Sequence, residues 1–209
     1  MTQPTVHNWI GDVADWGVDS VMMHGRTAQQ RYTKTADYEY LGNVKNILGD
    51  GCLFVGNGDV YHPSQVTELN NLGISNICVG RGALYKPWIF KELNEGKLYD
   101  ISGTERMDIL RNFCNYGLEF WGSDQAGVEM TRRYLLEFLS FFTRYVPLGL
   151  IADGHTQYLN LRSPSFSGRN DTETILASDR ANDWVSISEM FLGKVGPEFN
   201  FVPKHRSKV

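Results

Sequence analysis

The chain has 209 residues, of which 42% are hydrophobic and 21% charged, a composition that suits a globular protein with a substantial core. Its formal net charge of -4 predicts no global attraction to nucleic acid, although a local basic patch would be sufficient for binding. The three cysteines have no CxxC spacing, which argues against a disulfide framework or a zinc site. No apolar run is long enough to cross a bilayer. Together these observations favour the cytoplasm or the nucleus.

The first half of the chain alternates helical and strand patterns. Helical spacing predicts helices at 6–16, 38–48 and 63–72. Short apolar runs predict strands at 18–23, 52–55 and 74–79. Thr5 is the expected N-cap of the first helix, and Pro63 the expected first residue of the third. This alternation favours parallel strands with right-handed crossovers, as in an α/β protein.

The second half has only helical patterns. A helix over 83–94 with a break at Pro87 is followed by a turn-rich linker at 94–103. The later elements are two long helices, 104–121 with Thr104 as N-cap and 127–145, then a loop at 147–170, short helices at 171–177 and 180–192, and a basic tail at 203–208. We therefore predict an α/β domain over 1–100 and an all-helical domain over 101–209.

The two long helices have predicted apolar faces rich in aromatic residues. In the first they are Ile109, Leu110, Phe113, Tyr116 and Phe120, and in the second Tyr134, Leu135, Phe138, Leu139 and Phe142. Aromatic residues at helical spacing are more typical of a core than of a stacking platform. Cys52, Cys78 and Cys114 are likewise expected to be small buried side chains.

Two predicted strands end in glycine-rich loops, Gly56-Asn57-Gly58-Asp59 and Gly80-Arg81-Gly82. In a (β/α)8 barrel the last two strand loops often hold phosphate, because glycine lets main-chain N–H groups approach the oxygens. Arg81 would add a fixed positive charge. Each loop alone is equally typical of a tight turn, and the pair favours a phosphate site. Three βα units do not close a barrel, which takes eight strands.

Other polar residues allow two interpretations. His24 follows the first strand, where it would contact a cofactor or serve as a structural histidine. The loop that carries Arg26, Arg31 and Lys34 around Tyr32 suits either RNA contact or simple solvation. Arg132 and Arg133 also remain open, because Glu129 and Glu137 are helical neighbours able to pair with them.

Several motifs together carry a family resemblance: His24-Gly25-Arg26-Thr27, Gly56-Asn57-Gly58-Asp59, Gly80-Arg81-Gly82-Ala83-Leu84, Tyr116-Gly117-Leu118-Glu119, Arg144-Tyr145-Val146-Pro147 and Ile187-Ser188-Glu189-Met190. The chain resembles the eukaryotic tRNA-dihydrouridine(47) synthases over nearly its whole length. The resemblance implies a TIM barrel that binds flavin mononucleotide (FMN), takes electrons from NADPH and passes hydride to a uridine of tRNA.

The resemblance also implies roles for individual residues. Cofactor-binding positions would be His24, Asn57, Gly58, Asp59, Gly80 and Arg81. The helical half would bind tRNA, and the candidate RNA-binding residues are Arg26, Arg31, Lys34, Arg132, Arg133, Lys204 and Arg206. No metal ligand is assigned.

The family's general-acid cysteine and a flavin-contacting lysine have no counterpart in this chain, so no catalytic residue is assigned. The resemblance covers the last three strands of the barrel and the helical domain, and the N-terminal half of the barrel is a candidate partner. We consider three hypotheses: the C-terminal portion of such an enzyme, an inactive tRNA-binding module derived from one, and a different flavin- or phosphate-binding barrel enzyme.

Overall fold

The computed structural model describes residues 4–30, 32, 34–150 and 166–204. The chain divides into two compact units, the first reaching Leu98 and the second beginning at Tyr99. Over the described residues, no helix has both the length and the apolar character needed to cross a membrane.

A parallel three-stranded sheet forms the centre of the first unit. Its strands are β1 (Ser20–His24), β2 (Leu53–Asn57) and β3 (Asn76–Cys78), in that spatial order. The described α-helices of this unit are α1 (Tyr38–Leu48), α2 (Pro63–Asn71), α3 (Arg81–Tyr85) and α4 (Ile89–Glu95). Both strand pairings are parallel, which confirms the predicted pairing, and α3 and α4 are separated at the predicted Pro87 break.

One face of the sheet packs against helices. Phe54 of β2 is buried there among Leu41 of α1, Leu69 of α2 and Ile74. Gly56 lies on the same face, and a Cβ at that position would stand only 2.9 Å from the side chain of Ile74. Burial of this apolar surface is the main force that holds the helices on the sheet.

The predicted first helix is wrong. Residues Val6–Asn8 and Ile10–Val13 form two short 3₁₀ turns, and the side chain of Thr5 makes no capping hydrogen bond. Ile10 and Val13 are buried, whereas Trp16, the last residue of the predicted helix, is exposed. Two buried positions anchor one turn, and they do not supply the continuous stripe that stabilises a long helix.

The second unit is helical over its described residues. Its helices are α5 (Gly103–Trp121), α6 (Gln125–Phe142), α7 (Asp171–Ile175) and α8 (Ala181–Leu192). The predicted loop at 147–170 and the tail at 203–208 lie partly outside the described residues. The helix α5 approaches α6 so closely that a Cβ on Gly117 would stand 2.5 Å from Cγ2 of Thr131.

The predicted N-cap of α5 is wrong by two residues. Ser102 is the N-cap, and its hydroxyl accepts a hydrogen bond from the main-chain N–H of Glu105 at 3.2 Å. The Glu105 carboxylate in turn accepts from the N–H of Ser102 at 2.9 Å. This reciprocal arrangement satisfies two donors at once, which Thr104 cannot do.

The predicted aromatic faces also need correction. Tyr116 and Phe120 of α5 are 70% and 80% exposed, and Tyr134 of α6 is exposed as well. The buried face of α5 includes Leu110, as predicted, together with Cys114 and Gly117. A small residue allows the two helices to approach, so the contact follows Gly117 rather than the larger rings beside it.

Candidate functional site

The carboxyl ends of the strands bring together two predicted site residues. The register places His24 of β1 beside Asn57 of β2, and Asn57 beside Cys78 of β3. Lateral neighbours in a parallel sheet project their side chains to the same face, so these three residues form a row. Cys78 is partly exposed, which corrects the expectation that it is buried.

This row lies on the face of the sheet opposite the helices. Met22 and Leu53 belong to the same face by alternation along their strands, and they are 62% and 50% exposed. Val21 and Phe54 point to the other side and pack in the core. The site row therefore stands at the end of a largely uncovered sheet face.

Gly58 brings the loop after β2 against His24. It has a φ of 126°, and a Cβ there would lie 2.8 Å from the Cβ of Ala36 and 3.2 Å from Cε1 of His24. Burial and the neighbouring charges of Arg26 and Arg81 lower the pKa of His24. A neutral imidazole at this position has one donor and one acceptor nitrogen for a ligand.

Asp59 adopts a φ of 52°, which is uncommon for a residue other than glycine. Its carboxylate forms an ion pair with Arg26 and accepts a hydrogen bond from the main-chain N–H of Ala36 at 2.8 Å. The hydroxyl of Tyr61 donates to the other oxygen at 3.4 Å, and Arg81 lies 3.8 Å from that oxygen. Both oxygens of the Asp59 carboxylate are therefore occupied by partners within the protein.

The second glycine loop places Arg81 beside Tyr32. The Cζ atom of Arg81 lies 3.6 Å from the centre of the Tyr32 ring. Gly82 packs against Val60, the residue after the first glycine loop, so closely that a Cβ would stand 2.5 Å from the Val60 carbonyl oxygen. The structure therefore brings the two glycine loops together, as the sequence predicted.

The geometry suits a ligand that carries a phosphate group and a polar ring. At Gly80 the position of a Cβ is open space, so a ligand can approach the main chain there. The Arg81 side chain keeps 24% of its surface exposed, and a guanidinium binds phosphate through paired donors. His24 and Asn57 offer hydrogen-bonding groups at the strand ends. FMN has both features, and the residues present fit it.

A buried polar cluster next to the second glycine loop was not predicted. Lys86 forms a buried ion pair with Glu92, whose carboxylate also accepts from Nε1 of Trp88 at 3.1 Å. His62, the residue before α2, has a buried Nε2 without a hydrogen-bond partner among the described residues. Nothing in the sequence spacing indicated that Lys86 and Glu92, on either side of the Pro87 break, would pair.

Acidification is expected to destabilise the first unit through His62. Burial, together with the charge of Lys86, lowers the pKa of His62 from 6.5 to about 4. Between these two values the unfolded chain binds a proton that the folded chain excludes, so stability falls as the pH falls. Urea titrations from pH 7 to pH 4 should show a slope of up to about 1.4 kcal/mol per pH unit from this group. His62→Gln should flatten the profile; a variant profile parallel to the wild type would contradict the assignment.

The predicted RNA-binding residues are in different environments. The side chain of Arg26 is buried, and its guanidinium donates to Asp59 and to the main-chain oxygen of Lys34. Lys34, Arg133 and Lys204 are exposed. Arg31 and Arg206 lie outside the described residues. The exposed residues remain candidates for RNA contact.

Arg132 is almost fully buried, with 2% of its surface exposed. It donates to the hydroxyl of Ser188 at 2.7 Å and to the carbonyl oxygens of Leu192 and Gly193 at 2.9 and 2.8 Å. These carbonyls end α8, where helical partners are lacking. The Arg132 guanidinium therefore stabilises the second unit, and we no longer count Arg132 among the candidate RNA-binding residues.

A protein-family model described as dihydrouridine synthase (Dus) matches residues 2–145 of the chain. The match covers the whole sheet, both glycine loops, α5 and α6. It therefore includes every described residue of the candidate site.

Curated relatives named tRNA-dihydrouridine(47) synthase, NAD(P)(+)-like, are similar over nearly the whole chain. The proteins from Xenopus tropicalis and Homo sapiens are each 49% identical over 201 residues, and that from Oryza sativa subsp. japonica is 48% identical over 203. These alignments cover 96%, 96% and 95% of this chain but only 31%, 31% and 29% of the relatives. The chain thus spans less than a third of the length of the relatives it matches.

Proposed function

The chain belongs to the dihydrouridine synthase family, and from this premise we propose that it is the C-terminal portion of a tRNA-dihydrouridine synthase. The reaction would be reduction of a uridine of tRNA to dihydrouridine, with FMN as the hydride donor and NADPH as the reductant. The observation that carries this proposal is the row of His24, Asn57 and Cys78 beside the paired glycine loops. The three strands correspond to part of a TIM barrel, with the site at their carboxyl ends.

The residues of this chain would bind and orient the cofactor. Gly80 and Arg81 would hold the phosphate of FMN, and Asn57, Gly58 and neutral His24 would contact its polar atoms. FMN, when bound, supplies the hydride chemistry. We assign no general acid to the described residues, because the family's cysteine has no counterpart here.

The uncovered face of the sheet supports a partner for the first unit. Met22 and Leu53 expose apolar surface on the face that would line a barrel interior. The natural occupant is the N-terminal half of such a barrel, which the relatives have length to supply. The flavin pocket would then be shared between this chain and that half.

The second unit would bind the tRNA substrate. Arg133 of α6 and Lys204 are both exposed, and the main-chain N–H of Lys204 lies 3.4 Å from the Glu137 carboxylate, one helical turn from Arg133. Exposed arginine and lysine side chains close to each other would bind neighbouring phosphates of an RNA backbone. Cytoplasm or nucleus would be the compartment in which this substrate is met.

The alternative is an inactive tRNA-binding module derived from the enzyme. We would supply the chain with a polypeptide that covers the remaining part of a relative, and measure dihydrouridine in tRNA by mass spectrometry. Product is expected only when both polypeptides are present, and Arg81→Ala should lower it at least roughly tenfold by loss of a phosphate contact. Arg111→Ala, which changes an exposed arginine of α5, is the matched control. Absence of product from a folded mixture that still binds tRNA would favour the module.

A further inference from the structure

Protein donors surround both oxygens of the Asp59 carboxylate. Arg26 and the N–H of Ala36 bind Oδ2, and the Tyr61 hydroxyl binds Oδ1. Burial raises the pKa of Tyr61 to about 12, so its hydroxyl remains a donor well above neutral pH. Only 7% of the Asp59 side chain is exposed. A carboxylate so enclosed is a poor candidate for the cofactor contact that the sequence predicted.

The partners of Asp59 tie two loops together. Arg26 and Ala36 lie at the two ends of the loop between β1 and α1, while Asp59 follows β2. Arg26 also donates from Nε to the main-chain oxygen of Lys34 at 2.8 Å. One carboxylate therefore anchors the loop that carries Tyr32.

Tyr32 connects this anchored loop to Arg81. The Arg81 guanidinium lies over its ring at 3.6 Å, and the Arg26 guanidinium at 5.4 Å. Because the Tyr32 ring covers only the face of the Arg81 guanidinium, the N–H donors on the edges of the guanidinium stay available to an anion. The direction of those donors depends on where the anchored loop holds Tyr32.

We infer that Asp59 is a positioning residue, which holds Tyr32 against Arg81 and so fixes the direction in which Arg81 meets a phosphate group. The inference rests on the proposed function only for the identity of that phosphate, FMN. A competing role is electrostatic, since a carboxylate 3.8 Å from Arg81 would repel a phosphate. The two roles predict opposite effects when Asp59 is neutralised.

The position of Arg81 against the Tyr32 ring is tested first without ligand, by NMR on the full chain. The ring current of Tyr32 should shift the side-chain resonances of Arg81 upfield, and Tyr32→Leu identifies them by abolishing the shift. Asp59→Asn should remove more than half of the shift while the amide resonances of β1 and β2 stay in place. A folded Asp59→Asn protein that keeps the full shift overturns the inference.

Two further variants make this measurement decisive. Asp50→Asn neutralises an exposed aspartate of the same unit, paired with Lys45, and should leave the Arg81 resonances unchanged. If Asp59→Asn does not fold, Arg26→Met/Asp59→Asn removes both buried charges and avoids an unpaired one. The double variant is likewise expected to lose the upfield shift, and its retention would refute the positioning role.

Calorimetric titration with FMN and with riboflavin, which lacks the phosphate, then separates the two roles. The wild-type chain should prefer FMN, and Asp59→Asn should reduce that preference roughly tenfold with riboflavin affinity unchanged. A stronger preference for FMN in Asp59→Asn would establish the electrostatic role and overturn the inference. A wild-type chain that binds both flavins equally contradicts the proposed phosphate site, while the NMR result still decides the role of Asp59.

Discussion

Arg132→Ala is expected to lower the free energy of unfolding of the helical unit by about 3 kcal/mol, because it removes an enclosed guanidinium and its three hydrogen bonds to Ser188 and to the end of α8. The guanidinium donates to Ser188 and to the carbonyl oxygens of Leu192 and Gly193, which close the end of α8. Alanine supplies no donor, and the Ser188 side chain is fully buried, so water cannot easily replace the guanidinium there. Urea unfolding followed by far-ultraviolet circular dichroism would measure the loss.

The neighbouring arginine is the matched control. Arg133 is exposed, with its guanidinium 5.6 Å from the ring centre of Phe199. Arg133→Ala should change stability by no more than about 0.5 kcal/mol. It should weaken tRNA binding and reduce the salt dependence by about one ion, as expected for a phosphate contact. Equal losses of stability in the two variants would contradict the structural role of Arg132.

Glu92→Gln is expected to destabilise the first unit by about 3 kcal/mol, since it leaves a buried ammonium without a counter-charge. Lys86 and Glu92 are almost fully enclosed, and Glu92 also receives the indole N–H of Trp88. Burial lowers the pKa of Lys86, while Glu92 acts in the opposite direction. Loss of the carboxylate should therefore favour neutral Lys86, so the stability deficit should shrink as the pH is raised.

Two comparisons make the Glu92 result specific. Glu68→Gln, at an exposed position of α2, should change stability by less than about 0.5 kcal/mol. Lys86→Met/Glu92→Leu removes both charges and should recover much of the loss, since apolar replacements of buried pairs are often neutral. If the double variant is as unstable as Glu92→Gln, the unpaired charge is not the cause.

The sequence predicted the features that depend on local pattern. The three strands, their parallel pairing and the approach of the two glycine loops all follow from short apolar runs that end in glycine. Pro63 and Pro87 marked a helix start and a helix break, because proline removes a donor and fixes φ. These signals act within a few residues and need no knowledge of tertiary contacts.

Features that depend on distant partners were not predictable in the same way. Arg132 is 56 residues from Ser188, and no spacing rule connects them. Asp59 was assigned to a cofactor by the family resemblance, yet its partners Arg26 and Ala36 come from another loop of the protein. The exposed rings of Tyr116 and Phe120 show the same limit, since Gly117 decided which face of α5 is buried.

The order β1-β2-β3 leaves the main chain of β1 and of β3 each with one side unpaired within the described sheet. A strand edge of this kind accepts any extended segment that offers matching N–H and C=O groups. The two edges that would receive the rest of a barrel are thus also open to a second copy of the same chain. Under the proposed function, assembly with the rest of the barrel and self-association would compete for these two edges, and the relative concentrations of the polypeptides would decide between them.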